Sequence, residues 1–336
     1  RAEGMTVGRM PLFSVSILVT ASLLLIAVPV FVAGLVLLWL DQHFGGQLFA
    51  QSSLATDRLW QHFLYLSGWP LLLLMAVPAF GAMTDAVAGH ARRQLLGHSI
   101  AGGLLTALAL LSVLTWAAGR NRLYAISAPI TTIPLALVLV PIALLVLLWV
   151  ATVRFGSARF HPSLLAAPLM LVLVGAGIAG FVAALAIDVE ADDAAAFARG
   201  NLTLLALGVP AVALVGAVLY WAPKVSGRAP SSGAGGAASL LVFLGVLVAA
   251  VPGWIVGFDA SDETWGIAIA GGALLALGFV ATAAALKAGP AATDDPYGAT
   301  TLEWATTSPP PPHNFDRLPE IRSAAPLADV RPGDDV

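Results

Sequence analysis

The chain has 336 residues, of which 59% are hydrophobic and only 10% charged, and its mean hydropathy is +0.89. A water-soluble domain of this composition would lack the polar residues needed to cover its surface, so the composition indicates a membrane protein. The net charge of −3 is too small to favour a nucleic-acid partner, and the absence of cysteine excludes disulfides, thiolate metal sites and iron–sulfur clusters.

Eight apolar stretches are long enough to cross a bilayer, because a spanning helix needs about 20 mostly apolar residues. In chain order they cover about 11–40, 62–84, 96–118, 129–153, 163–187, 201–222, 238–258 and 264–287. Lipid offers no hydrogen bonds, so each stretch must satisfy its backbone groups internally, as a helix does. The sequence therefore predicts an all-α membrane protein built as a bundle of eight transmembrane helices, with no signal peptide ahead of the first.

Three polar segments interrupt or follow these stretches. The acidic connection 187–200 reads as an external loop, and the Gly/Ser/Pro-rich segment GRAPSSGAGGAAS, 227–239, as a flexible linker. From Pro290 onward the chain is polar and rich in proline, which indicates an extended ribbon lying on a protein surface. We expect two parts, a helical bundle over 1–289 and a cytoplasmic tail over 290–336.

The basic residues predict the orientation. If the N-terminal segment is inside, the inside connections hold nine basic residues and the outside connections four. The inside set is Arg1, Arg9, Arg92, Arg93, Arg154, Arg159, Lys224, Arg228 and Lys287, and the outside set is Arg58, Arg120, Arg122 and Arg199. Cytoplasmic loops carry the excess of Lys and Arg, so both termini are expected in the cytoplasm.

Three segments in order resemble landmarks of one family. They are RAEGMTVGRMPLFSVSILVTA at 1–21, YWAPKVSGR at 220–228 and DDPYGATTLEWATTSPPPPHNF at 294–315. Together they resemble cytochrome c oxidase subunit I of the heme-copper oxidases, which has twelve spans. The resemblance places this chain on spans five to twelve, the C-terminal two thirds of that fold, in the bacterial plasma membrane. It also implies that the proline-rich tail follows the cytoplasmic face.

The family binds heme a and copper through histidines, and the resemblance allows each position to be compared. Trp69 stands where the first copper ligand belongs, with Leu71 and Leu73 at the positions of the proton-relaying Glu and the Tyr that cross-links to that ligand. Ala118 and Gly119 stand at the positions of two further copper ligands. An indole has one N–H donor and no lone pair for a metal, so these residues are not expected to bind copper.

The later positions follow the same pattern. Ile142 and Leu145 occupy places where the family has a Thr and a Lys lining a proton channel. Gly200 and Leu202 fall in the window of the two heme-ligating histidines. Glu263 and Thr264 stand where the family has arginines that hold heme propionates, and a carboxylate would repel them. No cofactor is therefore predicted, and catalysis is not expected.

The chain's own histidines offer no replacement. They are His43, His62, His90, His98, His161 and His313. His62 is interpreted as a buried hydrogen-bonding residue, and His43 and His161 as meeting interfacial water at span ends. His90 and His98 could share one helix face, but two imidazoles without a third ligand make a weak metal site. The acidic residues Asp188, Glu190, Asp192 and Asp193 are interpreted as a solvated loop rather than a cation site.

Three hypotheses follow. The first is a cofactor-free structural or assembly subunit of a respiratory terminal oxidase, bound to other oxidase subunits and to lipid. Its partner-binding residues are expected in the tail at Glu303, Trp304, His313, Asn314 and Phe315. The second is one part of an active oxidase, reducing O2 with proton pumping, whose other spans lie on another chain. The third is an unrelated membrane carrier, which the scarcity of charge in the span centres disfavours.

Overall fold

The computed structural model describes residues 3–45, 74–119, 128–186, 197, 199–258, 265–315 and 318–330, with side-chain surroundings described for all of these except 113–119, 128–136, 181–186 and 256–258. The long helices of these segments are α1 (Leu12–Phe44), α2 (Ala76–His90), α3 (His98–Gly119), α4 (Ala128–Phe155), α5 (Ala166–Ala186), α6 (Arg199–Ser226), α7 (Ser232–Phe258) and α8 (Trp265–Ala288). The expected eight-helix bundle agrees with this order.

Six of these helices contain a segment long and apolar enough to cross a membrane, counting only residues that the structure describes. The six lie in α1, α4, α5, α6, α7 and α8. In α3 the segment with described surroundings, His98–Ser112, is a shorter apolar helix. Large apolar side chains along α1 and α8 are exposed, as lipid-facing helices require.

Helix α2 lies at the centre of one end of the bundle. Nearly all of it is buried, from Val77 to His90, and it packs against α1, α4 and α6. The predicted span 62–84 ended too early, because α2 continues through Asp85 to His90. The prediction stopped at the charged residue, but Asp85 is only 4% exposed and is paired with backbone N–H groups.

The Gly/Ser/Pro-rich segment was wrongly predicted to be a flexible linker. Helix α7 begins within it at Ser232, and Ala238 and Ser239 are fully buried. A Cβ at Gly235 would lie 3.0 Å from Cβ of Pro162. The small residues therefore allow close packing of a helix start against the turn before α5, a role that composition alone does not distinguish from flexibility.

One end of the bundle gathers every connection that was assigned to the inside. His98 Nε2 lies 3.0 Å from the Met10 carbonyl, and Ser157 donates its backbone N–H to Ala91. Ala229 donates to Pro290, and the Arg9 guanidinium donates to Ile321 of the tail. The helices therefore alternate in direction as expected, and the described parts of both terminal segments lie at the same end.

The tail was expected to be an extended ribbon, and this is only partly correct. It contains a 3₁₀ turn at Leu302–Ala305 and a short helix, α9 (Pro326–Val330). An isolated antiparallel bridge joins Arg228 to Ala291 where the tail leaves the bundle. The tail folds back onto the helices of its own chain, so its inner face is already covered.

Candidate functional site

Three aromatic side chains fasten the tail to the bundle. Tyr220 of α6 stacks on Tyr297 of the tail with ring centroids 5.1 Å apart, and Trp304 meets both rings edge-on. Trp304 Nε1 also donates to the Tyr220 hydroxyl at 3.2 Å. All three rings are buried, so their contacts hold the tail in one position. Gly89 of α2 has no room for a Cβ because the Tyr220 hydroxyl lies against it.

Lys224, in the last turns of α6, binds the backbone of the tail. Its ammonium donates to the carbonyl oxygens of Asp294 at 2.9 Å, Thr306 at 2.6 Å and Thr307 at 3.3 Å. It also lies 5.3 Å from the Trp304 ring centroid. All three of its N–H donors are thus used on two separate stretches of the tail.

A pair of imidazoles lies beneath the same tail segment. His90 Nε2 is 2.7 Å and His161 Nδ1 is 3.0 Å from the hydroxyl oxygen of Ser163, and the two rings stack at 5.4 Å. Tyr297 meets both rings edge-on. Burial lowers the pKa of His161 below its ordinary value, so this imidazole is neutral at physiological pH.

His90 and His98 do not share one helix face, which the sequence had left open, and no metal site was predicted for them. His90 ends α2 and His98 begins α3, and each binds a different partner. Within the described ranges no three His, Asp or Glu side chains come together as a metal site would need. His161 was expected at interfacial water, and it is instead partly buried against Ser163 and Tyr297.

Two carboxylates that sequence reasoning did not assign here hold neighbouring elements together. Asp85 of α2 accepts from the backbone N–H groups of Leu12 at 3.0 Å and Phe13 at 2.9 Å, and so caps the start of α1. Glu303 of the tail accepts from Trp221 Nε1 at 3.3 Å, and partial burial raises the pKa of its carboxyl. The available signal was a single acid beside apolar residues, Ala86 in the first case and Leu302 and Trp304 in the second.

The heme-ligand positions suggested by the resemblance lie in a closely packed part of the interior. A Cβ at Gly200 would come within 2.8 Å of Cδ1 of Trp254 in α7. Trp254 Nε1 donates to Asn201 Oδ1 at 3.1 Å, and Asn201 itself packs against Gly180 of α5. A one-turn π-helix, Thr203–Gly208, follows at once.

Gly200 and Leu202 do not fit a heme. Neither side chain has a nitrogen donor, and the indole of Trp254 fills the space beside Gly200. Around the proton-channel positions, Leu145 is fully buried in an apolar core and Ile142 packs against it. Trp149, one turn further along α4, donates to Thr84 Oγ1 at 2.9 Å. These interactions are those of a packed helix interface.

Several predicted positions cannot be compared in this way. Trp69, Leu71, Leu73 and His62 lie outside the described residues, as do Glu263 and Thr264 and the acidic group Asp188, Glu190, Asp192 and Asp193. Ala118 and Gly119 are the last residues of α3, and their side-chain surroundings are not described.

The predicted partner-binding residues divide into two groups. Glu303 and Trp304 contact this chain's own Trp221 and Tyr220, and Trp304 is only 2% exposed. His313 and Asn314 are exposed, and Phe315 is partly so. This second group follows the prolines, and the Asn314 carbonyl accepts a hydrogen bond from Thr306 Oγ1 at 2.5 Å.

The fold and this site define a polytopic helical membrane protein whose tail is fastened over one end of its bundle. The family model for cytochrome c and quinol oxidase polypeptide I matches residues 1–288. The chain belongs to this family. The third hypothesis, an unrelated carrier, is thereby overturned.

Curated relatives agree with the family match. A putative cytochrome c oxidase subunit 1-beta of Streptomyces coelicolor is 28% identical over 98% of this chain and 61% of its own length. A probable subunit 1-beta of Nocardia farcinica is 30% identical over 98% of this chain and 59% of its own length. Cytochrome c oxidase subunit 1 of Cereibacter sphaeroides is 28% identical over 95% of this chain and 60% of its own length. The chain thus spans 59–61% of the length of these relatives.

Proposed function

We propose that this chain is a structural or assembly subunit of a respiratory terminal oxidase in the bacterial plasma membrane. It retains the helical bundle and the fastened tail of its family and binds neither heme nor copper at the positions of the family's ligands. Both termini face the cytoplasm, in keeping with the excess of Lys and Arg at the end where the terminal segments lie.

The packing at Gly200 is the observation that carries the proposal. A histidine there would clash with Trp254, and the Trp254–Asn201 hydrogen bond joins α6 to α7 across the same space. Replacing ligands alone would leave a cavity, which is destabilising in a closely packed interior. Here direct contacts between α5, α6 and α7 occupy that space, which supports a bundle that is stable without the cofactor.

The outer side of the tail is the proposed contact for another oxidase subunit. Lys224 and the buried Trp304 fix the position of the tail, so its exposed residues are presented by a rigid support. His313, Asn314 and Phe315 offer an imidazole, an amide and an aromatic ring within three positions. Preorganised polar and aromatic groups bind a partner with a smaller entropic cost than a mobile tail would.

Optical spectroscopy and metal analysis of the purified chain test the proposal. We expect no heme a bands in the reduced-minus-oxidised spectrum and less than stoichiometric copper by mass spectrometry, alongside a cooperative thermal transition. Stoichiometric heme or copper would contradict it. The substitution Trp254→Ala is a useful second sample, because it opens space beside Gly200 without supplying a ligand, and heme should remain absent.

A second function is that of one part of an active oxidase whose other spans lie on another chain, and the family match over residues 1–288 supports it. In that case the complex isolated through this chain would consume oxygen, and Trp254→Ala would alter its heme spectrum. Heme in that complex with an unchanged spectrum would instead assign the cofactor to the partner chain.

A further inference from the structure

A group of basic and aromatic residues surrounds the turns that follow α2 and α4. We call it the basic rim and define it as Arg93, Arg154, Phe155, Arg159 and Phe160. Arg154 and Arg159 are exposed, and Arg93 is partly exposed. None of these residues takes part in fastening the tail or in the interior contacts at Gly200.

Backbone hydrogen bonds hold the two turns of the rim together. The Arg93 guanidinium donates to the Phe155 carbonyl at 2.9 Å, and Ser157 N–H donates to Ala91 at 3.0 Å. Arg159 N–H donates to the His90 carbonyl at 3.3 Å. The arginines therefore belong to one fixed surface, although 61 residues or more separate Arg93 from Arg154 and Arg159 in the sequence.

The charge of this surface is one-sided. No Asp or Glu occurs anywhere between Asp85 and Asp188, so neither turn supplies a carboxylate. Arg92, the neighbouring cation, lies against Gly298 of the tail. The Arg154 guanidinium lies 6.0 Å from the Phe155 ring centroid, so a cation and an aromatic ring are neighbours on this surface.

The apolar residues of the rim place it at the membrane boundary. Phe155 is 61% and Phe160 79% exposed, and Ile100 at the start of α3 is 60% exposed. A groove of about 370 Å³ is lined by residues 93–100, which include Arg93 of the rim and Ile100. Exposed aromatic rings beside arginines at the end of a spanning helix are the arrangement that interfacial anchors adopt.

We propose that the basic rim binds the headgroups of anionic phospholipids. The arginines would pair with the lipid phosphates, since a guanidinium donates two parallel hydrogen bonds to such a group. Phe155 and Phe160 would enter the boundary between headgroups and acyl chains. Basic surfaces at the cytoplasmic ends of membrane helices attract anionic lipid in this way.

The absence of native cysteine makes a site-specific test direct. Single cysteines are introduced by Ala158→Cys in the rim and, as the matched site, by Ala288→Cys at the end of α8. Each cysteine is labelled with a fluorophore, and the protein is placed in phosphatidylcholine nanodiscs that contain a small fraction of a doxyl-labelled lipid, either phosphatidylglycerol or phosphatidylcholine, as the quencher. At position 158 we expect doxyl-labelled phosphatidylglycerol to quench the fluorescence several-fold more than doxyl-labelled phosphatidylcholine. At position 288 we expect the two lipids to quench it nearly equally.

Two double variants distinguish an effect of the rim arginines from an effect of the net charge of the protein. Arg154→Gln with Arg159→Gln should reduce the phosphatidylglycerol preference at position 158 at least five-fold, since one arginine near an anionic surface contributes about that factor. Lys287→Gln with Arg322→Gln removes the same charge from exposed positions elsewhere and should leave the preference unchanged.

Three outcomes would overturn the proposal. The first is equal quenching by the two lipids at position 158. The second is an equal loss of the phosphatidylglycerol preference in the two double variants. The third is full displacement of the lipid by soluble glycerol phosphate. The last would mean that the rim binds a free phosphoester rather than a lipid surface.

Discussion

Lys224 is the residue on which the position of the tail depends most directly. Its ammonium joins the segment around Asp294 to the segment around Thr306, which are otherwise separated by the 3₁₀ turn. Hydrogen bonds to a charged group are stronger than neutral ones, and this residue is only 5% exposed. The sequence motif YWAPK marked the lysine as part of a landmark but gave no partner for it.

We therefore expect Lys224→Met to loosen the tail while keeping most of the side-chain volume. Loss of the charged hydrogen bonds should cost about 2 kcal/mol. Limited proteolysis should cut the tail faster, and hydrogen exchange should increase at residues 294–308. Lys287→Met, which changes an exposed lysine at the end of α8, is the control and should change neither measurement.

Glu303 adds a pH dependence to the same attachment. Partial burial raises the pKa of its carboxyl, so the folded chain retains a proton in a pH range where the unfolded chain has lost it. Its stabilising effect is therefore complete below the ordinary pKa of a glutamate and is lost as the pH rises through the raised value.

The matching prediction is that Glu303→Gln reduces the fall in melting temperature between about pH 5 and pH 8. The amide oxygen can still accept from Trp221, so the variant should be at least as stable as the native chain at the higher pH. Glu320→Gln is the comparison, because Glu320 is exposed, pairs with Arg322, and has a lowered pKa. An unchanged pH profile for Glu303→Gln would contradict the assignment.

At the scale of elements, α7 and α8 form the closest helix pair among those described. Gly245 and Gly271 lie at their crossing, and neither has room for a Cβ against the backbone of the opposite helix. Small residues allow membrane helices to approach until their backbones touch, which increases van der Waals contact. Gly272, the next residue, faces outward, and a Cβ added there would have no neighbouring atom within 4 Å.

Gly271→Ala should therefore separate α7 from α8 and lower the stability by about 1–3 kcal/mol, the usual cost of overpacking. Gly272→Ala should be neutral or stabilising, because alanine has the higher helix propensity. Thermal unfolding in the same detergent measures both. Equal melting temperatures for the two variants would mean that the crossing is not tightly packed.

At the scale of the whole molecule, the alternating helices place the connections in two groups. The described parts of the N-terminal segment, the turns after α2, α4 and α6, and the tail share one end. The N-terminal ends of α2, α4, α6 and α8 and the C-terminal ends of α1, α3, α5 and α7 point to the other. The excess of Lys and Arg in the first group is the reason we propose that this group faces the cytoplasm.

Cysteine labelling can measure this orientation. In inside-out vesicles Ala158→Cys should react with a membrane-impermeant maleimide, and in right-side-out vesicles Phe44→Cys, at the exposed end of α1, should react instead. The native chain has no cysteine, so it is the unlabelled control. The opposite pattern would reverse the assigned orientation.

The sequence by itself determined the kind of protein and the order of its helices. Apolar stretches of about 20 residues satisfy their backbone groups in lipid as helices, so composition and length were sufficient for the six spans found among the described residues. The ordered landmarks also identified the family, which the match over residues 1–288 confirmed. Both inferences depend on local chemistry that can be read along the chain.

Only the tertiary structure decided how the charged residues and the small residues are used. Asp85 ended a predicted span because an isolated acid is costly in an apolar helix, yet the N-terminus of α1 supplies it with two donors. The glycines before Ser239 were interpreted as flexible, yet Gly233, Gly235 and Gly236 lie in the first turns of α7, where Gly235 packs against Pro162. The partners in each case are 70 or more residues away, as are the carbonyls that bind Lys224. Such pairings depend on how the helices pack against one another, and this packing cannot be predicted from a local sequence pattern.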